Sequence, residues 1–415
     1  MRTEGDFIKI NEWLLPLSWL YSLGVRFRNW LFDVGLLKAR AYDIPVISVG
    51  NITVGGSGKT PHVEYLVSLL QDSFQVAVLS RGYKRKSHGY ILADADTKMP
   101  EIGDEPYQMY RKFHHLYVAV DKNRREGIEQ LQSDQQTKDV DVILLDDAFQ
   151  HRFVQPGINI LLIDYHRLII YDKLLPAGRL REPECGKNRA DIVIVTKCPK
   201  DLKPMEFRVL TKALNLYPYQ ELYFTTLDYC DLQPLFRHSA ENAGTDTQRP
   251  NDPYDTRKGC RKGRSLTSIQ GQHVLLLTGI ASPKQIMQDL TEIEPADITP
   301  LTYSDHHNFS LKDVQKINKA FAALSEPKVI ITTEKDAARL QGASGLSEEV
   351  KRNLFVLPIR IRFMLDEGEN FNQKIISYVR KNSRNSILVK DKDENKSKDS
   401  HHSGHRTRTI SFRNN

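Results

Sequence analysis

The chain has 415 residues, 40% of them hydrophobic and 27% charged, with a formal net charge of +7. That is the composition of a soluble globular protein long enough for two packed α/β domains, and so modest a basic excess does not point to a nucleic-acid partner. The cysteines Cys185, Cys198, Cys230 and Cys260 form no CxxC pair, so neither a zinc site nor a disulfide framework is suggested, and a reducing compartment is expected.

Residues 1–43 are unusually apolar. Trp13, Leu14, Leu15, Leu17, Trp19, Leu20, Tyr21, Leu23 and Val25 precede Arg26 and Arg28, and Trp30, Leu31, Phe32, Leu36 and Leu37 follow. The uncharged run from Trp13 to Val25 is too short to span a bilayer. Glu4, Asp6 and the lack of a small-residue cleavage site argue against a signal peptide. Trp and Leu interleaved with Arg, Lys and Asn suit a segment lying in a lipid interface, or a helix packed on its own domain. Pro16 either breaks or begins that helix.

The segment GNITVGGSGKTP, Gly50 to Pro61, follows an apolar strand-like run at Pro45–Val49 and opens a helical run from Thr60 to Leu70. A strand, a glycine-rich loop and a helix N-terminus together cradle phosphate. Thr53, Val54, Gly55, Gly56, Ser57, Gly58, Lys59 and Thr60 are the candidate nucleotide-binding residues. Lys59 would reach the β- and γ-phosphates, and the Thr60 hydroxyl would hold Mg²⁺. A strict Walker A loop has Gly where Thr53 stands, and a plain glycine-rich turn is the alternative.

Beyond the loop, strand patterns at Val76–Ser80, Tyr117–Val120, Val140–Asp146, Ile158–Asp164 and Ile192–Thr196 alternate with helical stretches such as Glu105–Phe113 and Arg124–Ser133. Pro204–Leu216 reads as another helix, and Glu221–Tyr229 as a strand leading out of this domain. A polar stretch, 238–272, reads as an insertion or linker. A second series follows: strand His273–Gly279, helix Pro283–Ile293, strand Ile298–Tyr303, helix Leu311–Leu324 behind a Ser310/Asp313 capping box, and strand Lys328–Thr333. One strand, Phe355–Arg362, and a helix, Phe371–Val379, complete it before a charged tail from Lys381 that is too polar to fold. The fold class is therefore α/β: a P-loop NTPase-like parallel-sheet domain with a second, smaller α/β domain. The expected division is an apolar interface segment at 1–43, the P-loop domain at 44–220 and a linker strand with the insertion at 221–272. The second domain takes 273–380 and the tail 381–415.

Val142 to Asp147 is an apolar strand ending in two carboxylates, as a Walker B strand requires; one of the two, Asp146 in preference to Asp147, is expected to hold Mg²⁺ or its waters. Gln150 and His151 lie where they can face the same cleft, although a lone His is more often structural. Arg81 and Tyr83 leave the next strand on the ligand side of the sheet, and Arg124, Arg125 and Arg181 are further candidate anion ligands. By spacing alone, Asp104 and Glu105 are ordinary acids at a helix start. Asp305-His306-His307 and Lys335 follow strands of the second series and can reach a common cleft. Two nucleotide classes lose ground: Val54 occupies the position of the deviant-Walker lysine, and Thr196-Lys197-Cys198-Pro199 has Pro where a guanine-reading motif needs Asp.

Taken together, GNITVGGSGKTP, SRGY at Ser80–Tyr83, GDEP at Gly103–Pro106 and DDAFQH at Asp146–His151 resemble the tetraacyldisaccharide 4'-kinase family of lipid A biosynthesis. LLPAGRLREP at Leu174–Pro183, SDHH at Ser304–His307 and TTEKDA at Thr332–Ala337 extend the likeness to about residue 380. The resemblance implies phosphoryl transfer from ATP, with Mg²⁺, to the 4'-hydroxyl of a tetraacylated glucosamine disaccharide 1-phosphate. It implies that Asp104 is the catalytic aspartate, that His306 pairs with it, and that Lys59 offsets charge on the transferring group. Glu105 would join Thr60 and Asp146 around the metal, and Arg81, Tyr83, Arg124, Asp147, Gln150 and His151 would contact substrate. It also implies a monomer at the cytoplasmic face of the inner membrane of a Gram-negative bacterium, touching lipid through its N-terminal segment. Three departures are visible: Ala148 where the family usually has Gly, Arg179 for a usual Pro, and Lys84-Arg85 for Gly-Gly. A positive φ at Ala148 would be strained. The rival reading is a regulatory P-loop ATPase that switches a protein partner.

Overall fold

The computed structural model describes residue 8 and residues 10–236, 263–280, 284–304 and 307–383. Most of the expected tail and most of the expected polar insertion lie outside the described residues. Short β-branched runs form a nine-stranded sheet, because strands buried on both faces need apolar side chains throughout. Among the described residues, in chain order, these are β1 (Val46–Gly50), β2 (Val76–Ser80), β3 (Ile91–Leu92), β4 (Leu116–Val120), β5 (Val142–Asp146), β6 (Ile158–Asp164), β7 (Ile192–Thr196), β8 (Glu221–Tyr229) and, near the C-terminal end, β14 (Ile359–Phe363). The spatial order is β14-β8-β7-β6-β1-β5-β2-β4-β3, parallel except at the edge strands β3 and β14. A second sheet, β11-β10-β12-β13-β9, is built from β9 (Gln233–Pro234), β10 (His273–Thr278), β11 (Asp297–Thr302), β12 (Lys328–Thr333) and β13 (Leu354–Leu357).

The first sheet is doubly wound. Helix α1 (Leu15–Asp33) precedes it; α2 (Lys59–Leu70), the short α3 (Met99–Ile102), α4 (Asp104–Lys112), α5 (Arg124–Ser133) and α6 (Pro204–Leu214) follow its strands. Val63, Leu66, Val67 and Leu70 of α2 and Met109 of α4 close the core on one face. Ile128 and Leu131 of α5, and Phe207 and Leu210 of α6, close the other. The second sheet carries α7 (Lys284–Thr291), α8 (Leu311–Ala322), α9 (Glu334–Leu340) and α10 (Glu348–Asn353). Ser310 caps α8 reciprocally with Asp313, as the sequence indicated.

The structure corrects four expectations. The run expected as one strand at 355–362 is two: β13 stays in the second sheet, whereas β14 (Ile359–Phe363) pairs antiparallel with β8 in the first. Pro358 between them has no N–H to donate, so the ladder cannot run through it. Helix α11 (Gly368–Asn382) then packs Phe371, Ile375 and Val379 into the core of the first sheet. Strand β8 likewise belongs to the first sheet rather than leading away from it. Finally, Cys185 and Cys198 are free thiols, but Cys230 is disulfide-bonded.

Helix α1 begins at Leu15 with Pro16 in its first turn, where a missing N–H costs nothing. Only Ser18 and Phe32 of it are buried. Ser18 accepts from the Ala177 amide and donates to the Leu174 carbonyl, both at 2.9 Å, and the Tyr21 hydroxyl donates to the Arg181 carbonyl at 2.9 Å. Arg28 donates to the Gln150 carbonyl at 2.8 Å, and Arg152 pairs with Asp33 at 2.7 Å. The helix is thus held by polar tethers to two loops at the C-terminal edge of the sheet. Trp13, Leu17, Trp19, Leu20, Leu23, Phe27 and Trp30 stay exposed. No described helix is long and apolar enough to cross a membrane.

Candidate active site

Strand β1 hands the chain to the glycine-rich loop, and α2 begins at Lys59. Gly58, the N-cap, has φ +81°, a conformation that residues with a Cβ adopt at a cost. The loop is braced on one side by residues 179–181: the Val54 amide donates to the Arg179 carbonyl at 2.8 Å and the Arg181 amide to the Ile52 carbonyl at 2.7 Å. The Arg179 amide itself donates to Asp172 Oδ1 at 3.1 Å, a bond that a proline there would forfeit. Inside the loop, Asn51 Nδ2 donates to Ser57 Oγ at 2.6 Å. Val54, Gly55 and Gly56 are exposed, Ser57 and Thr60 buried, and Lys59 half-buried. Thr53 is buried and forms an isolated bridge with Leu180.

Parallel register sets Val49 of β1 beside Asp146 of β5, so the acidic pair emerges next to the loop. Ser80, ending β2, donates to Asp146 Oδ2 at 3.0 Å. Asp146 Oδ1 is buried and has no partner among the described residues. Burial, together with the nearby Glu105 and Asp147 carboxylates, pushes the Asp146 carboxyl up to about 7. Asp147 behaves oppositely. Burial would raise it, but Lys59 and Arg181 outweigh that and hold it at about 2. Arg181 grips both Asp147 oxygens, at 2.9 and 3.3 Å, and Lys59 Nζ lies 3.6 Å from Oδ1. The positive φ of this turn, +46°, falls on Asp147 rather than on Ala148, so the alanine is unstrained. Similarly Lys84 takes φ +59° where a glycine would be free, and its neighbour Arg85 donates to the Gly89 carbonyl at 2.7 Å.

The remaining candidates divide. Gln150 donates to the Asn51 carbonyl at 2.6 Å, tying the acidic turn to the loop. His151 is half-buried, and its Nε2 has no partner among the described residues. Burial, then the positive charges of Arg124, Arg125, Arg28 and Arg81, push this imidazole down to about 4. Arg124 is buried and donates to the carbonyls of Asp121 and Asp146, at 3.1 and 3.0 Å, so it orders strand ends. Arg81 and Tyr83 stand exposed beyond β2.

Asp104 and Glu105 open α4 and face α9 of the second sheet. Arg339 donates to Asp104 Oδ2 through Nε at 3.2 Å and also through Nη2; its other nitrogen reaches Asp336 at 3.3 Å. Lys335 donates to Glu105 at 2.7 Å, and Lys112 bridges Glu64 and Glu334 at 2.7 and 2.8 Å. The helix-start acids are therefore ion-paired across the two sheets. His306 lies outside the described residues. Its neighbour His307 stacks on Tyr303, with ring centroids 4.7 Å apart, and pairs with Asp313 at 3.0 Å. Sequence reasoning missed Arg339, whose partner Asp104 is distant in the chain, and Asn51, whose side chain joins Ser57 of the loop to the distant Arg181.

Among the described residues no group of three His, Cys, Asp or Glu side chains forms a metal cage. What is present, an Asp146 oxygen buried and unpartnered among the described residues, a buried Thr60 in the first turn of α2 and a glycine-rich loop, fits an ion that keeps waters and phosphate oxygens in its shell.

Residues 10–380 match the family model described as tetraacyldisaccharide-1-P 4'-kinase. The chain is similar to the tetraacyldisaccharide 4'-kinase of Phocaeicola vulgatus, at 56% identity over 92% of this chain and 99% of that one. It is also similar to that of Bacteroides thetaiotaomicron, at 51% identity over 92% and 97%. Among solved structures it resembles LpxK from Aquifex aeolicus in complex with ATP, with a TM-score of 0.64 and 29% identity, covering 89% of this chain and 99% of that one. The glycine-rich loop, the paired acids of β5 and the GDEP helix start thus occur in a chain that belongs to the tetraacyldisaccharide-1-P 4'-kinase family.

Proposed function

We propose that this protein transfers the γ-phosphoryl group of ATP to the 4'-hydroxyl of a tetraacylated glucosamine disaccharide 1-phosphate, at a membrane surface. The observation that carries this reading is convergence. The phosphate loop, the β5 acids, the Asp104 helix start and the tethers of an apolar-faced helix all lie along the C-terminal edge of one sheet. Residues 53–60 would enclose the triphosphate, with Lys59 neutralising charge that spreads over the transferring group. Mg²⁺, when bound, would screen phosphate charge; Thr60 and Asp146 would hold it, with Glu105 close enough to raise Asp146. Asp104 would take the proton from the attacking hydroxyl, oriented by Arg339 and assisted by His306. Arg81, Tyr83, Asp147, Gln150 and His151 would line the sugar side, where Arg181 fixes Asp147. Arg124 would act there indirectly, by ordering the strand ends. The exposed apolar face of α1 supports peripheral attachment, which would let acyl chains remain in lipid while the sugar enters the cleft. The smaller sheet, with α9 facing α4, would form the second wall.

The test is transfer of label from γ-labelled ATP to a disaccharide 1-phosphate acceptor in detergent micelles, with wild type beside Asp104→Ala. Labelled acceptor from wild type and a loss of at least a hundredfold in the variant are expected. No transfer by wild type, or undiminished turnover in the variant, overturns the assignment.

A further inference from the structure

The Thr196-Lys197 pair, set aside above as an imperfect guanine-reading motif, stands directly behind the phosphate loop. At the end of β7, Thr196 Oγ1 donates to the Ser57 carbonyl at 3.0 Å. Lys197 Nζ donates to the Gly56 carbonyl and is held by Asp164 Oδ2 at 2.7 Å. From the first turn of α2, His62 Nδ1 lies 2.7 Å from the Gly58 carbonyl. Three successive loop carbonyls, at 56, 57 and 58, therefore each meet a side-chain donor from outside the loop.

The His62 tautomer follows from its partners. A carbonyl only accepts, so Nδ1 carries the proton, and Nε2 accepts from the Thr225 hydroxyl at 3.1 Å. The ring is fully buried, and burial holds it neutral, pushed down to about 4. Thr225 also receives the Cys198 amide at 2.9 Å, which joins β7, β8 and α2 in one frame. Lys197 adopts φ +57°, a left-handed backbone that a residue with a Cβ keeps only when its surroundings require it.

We propose that Thr196, Lys197 and His62 are positioning residues that preset the phosphate-binding amides. In a planar trans peptide, C=O and N–H point to opposite sides. Holding the Ser57 and Gly58 carbonyls against β7 and α2 turns the amides of Gly58 and Lys59 the other way, into the cradle. The Ser57 amide instead closes a tight turn on the Gly55 carbonyl at 3.1 Å, so the Lys197 bond fixes the loop's entry. Dipoles fixed before the ligand arrives need no reorganisation when it binds. The inference rests on the reading of this loop as an ATP site.

The experiment uses the full chain and the variants Thr196→Val, Thr196→Ser, Lys197→Met and His62→Asn. ATP affinity is measured by calorimetry without lipid, alongside KM for each substrate and the melting temperature. Loss of one carbonyl anchor is expected to weaken ATP about tenfold in T196V and K197M and to raise KM for ATP alone. T196S and H62N, which retain a donor, are expected within about twofold of wild type. Should H62N not fold, the T196V and T196S pair decides. Unchanged ATP affinity in T196V and K197M overturns the proposal, as does an equal rise in both KM values with a lowered melting temperature. A wild-type protein that fails to bind ATP removes instead the reading of the loop itself, and the proposal with it.

Discussion

The apolar face of α1 makes a quantitative claim about membrane binding. Trp19, Leu20 and Leu23 are 68%, 59% and 57% exposed, and the helix is held to the protein through other residues, Ser18 and Tyr21 among them. Full burial of a large apolar side chain is worth about 1.5–3 kcal/mol. With about three-fifths of each side chain available to lipid, the three together contribute about 3–5 kcal/mol. At 1.4 kcal/mol per factor of ten, W19Q/L20Q/L23Q should weaken partitioning by roughly a hundredfold to a few thousandfold. Flotation with vesicles containing anionic lipid measures this directly. The melting temperature should move little, because the substituted groups already face solvent. Turnover on acceptor in detergent micelles should change less than turnover on acceptor in vesicles. Vesicle binding within a factor of three of wild type would refute the reasoning, and α1 would then be a helix whose exposed face has another use.

The ion pair between Arg339 and Asp104 gives a second expectation. Arg339→Lys keeps the charge but loses the planar fork, so kcat should fall about tenfold while ATP affinity holds. In an Asp104→Ala background the same change should have no further effect on turnover; additive losses would mean that Arg339 acts elsewhere. A third expectation concerns acid. Folding depresses His62 from 6.5 to about 4, so the unfolded chain binds the extra proton below pH 6.5. The stability this group supplies is whole above that pH and is lost as pH falls toward 4. Between pH 7 and 5 the loss is about 2 kcal/mol. His62→Asn should flatten the change in urea midpoint over that interval, and an unaltered slope would exclude His62 as its source.

What the sequence made legible was local. Runs such as Val76–Ser80 and Ile192–Thr196 are strands because a sheet covered on both faces demands unbroken apolar side chains, and the observed bounds coincide. The glycine-rich loop and the β5 acids carry their chemistry within a few residues of one another, so spacing sufficed. Misreadings arose where partners are far apart in the chain. The run through 354–363 changes at Pro358 from unbroken apolar Leu354–Leu357 to alternating Ile359-Arg360-Ile361-Arg362, and that change, with the missing N–H of the proline, was the available signal for a break between two sheets. Asp104 and Glu105 read as ordinary helix-start acids because their counter-ions, Arg339 and Lys335, come from a helix of the other sheet. Only the resemblance singled them out in advance. Thr196-Lys197 was measured against a base-reading motif and failed on Pro199. Yet the same residues end the strand next but one to β1, and a Thr and a Lys at that height can reach the loop's outer carbonyls whatever base is bound. Motif matching asks which ligand a residue touches, whereas strand order also asks which main chain it can hold.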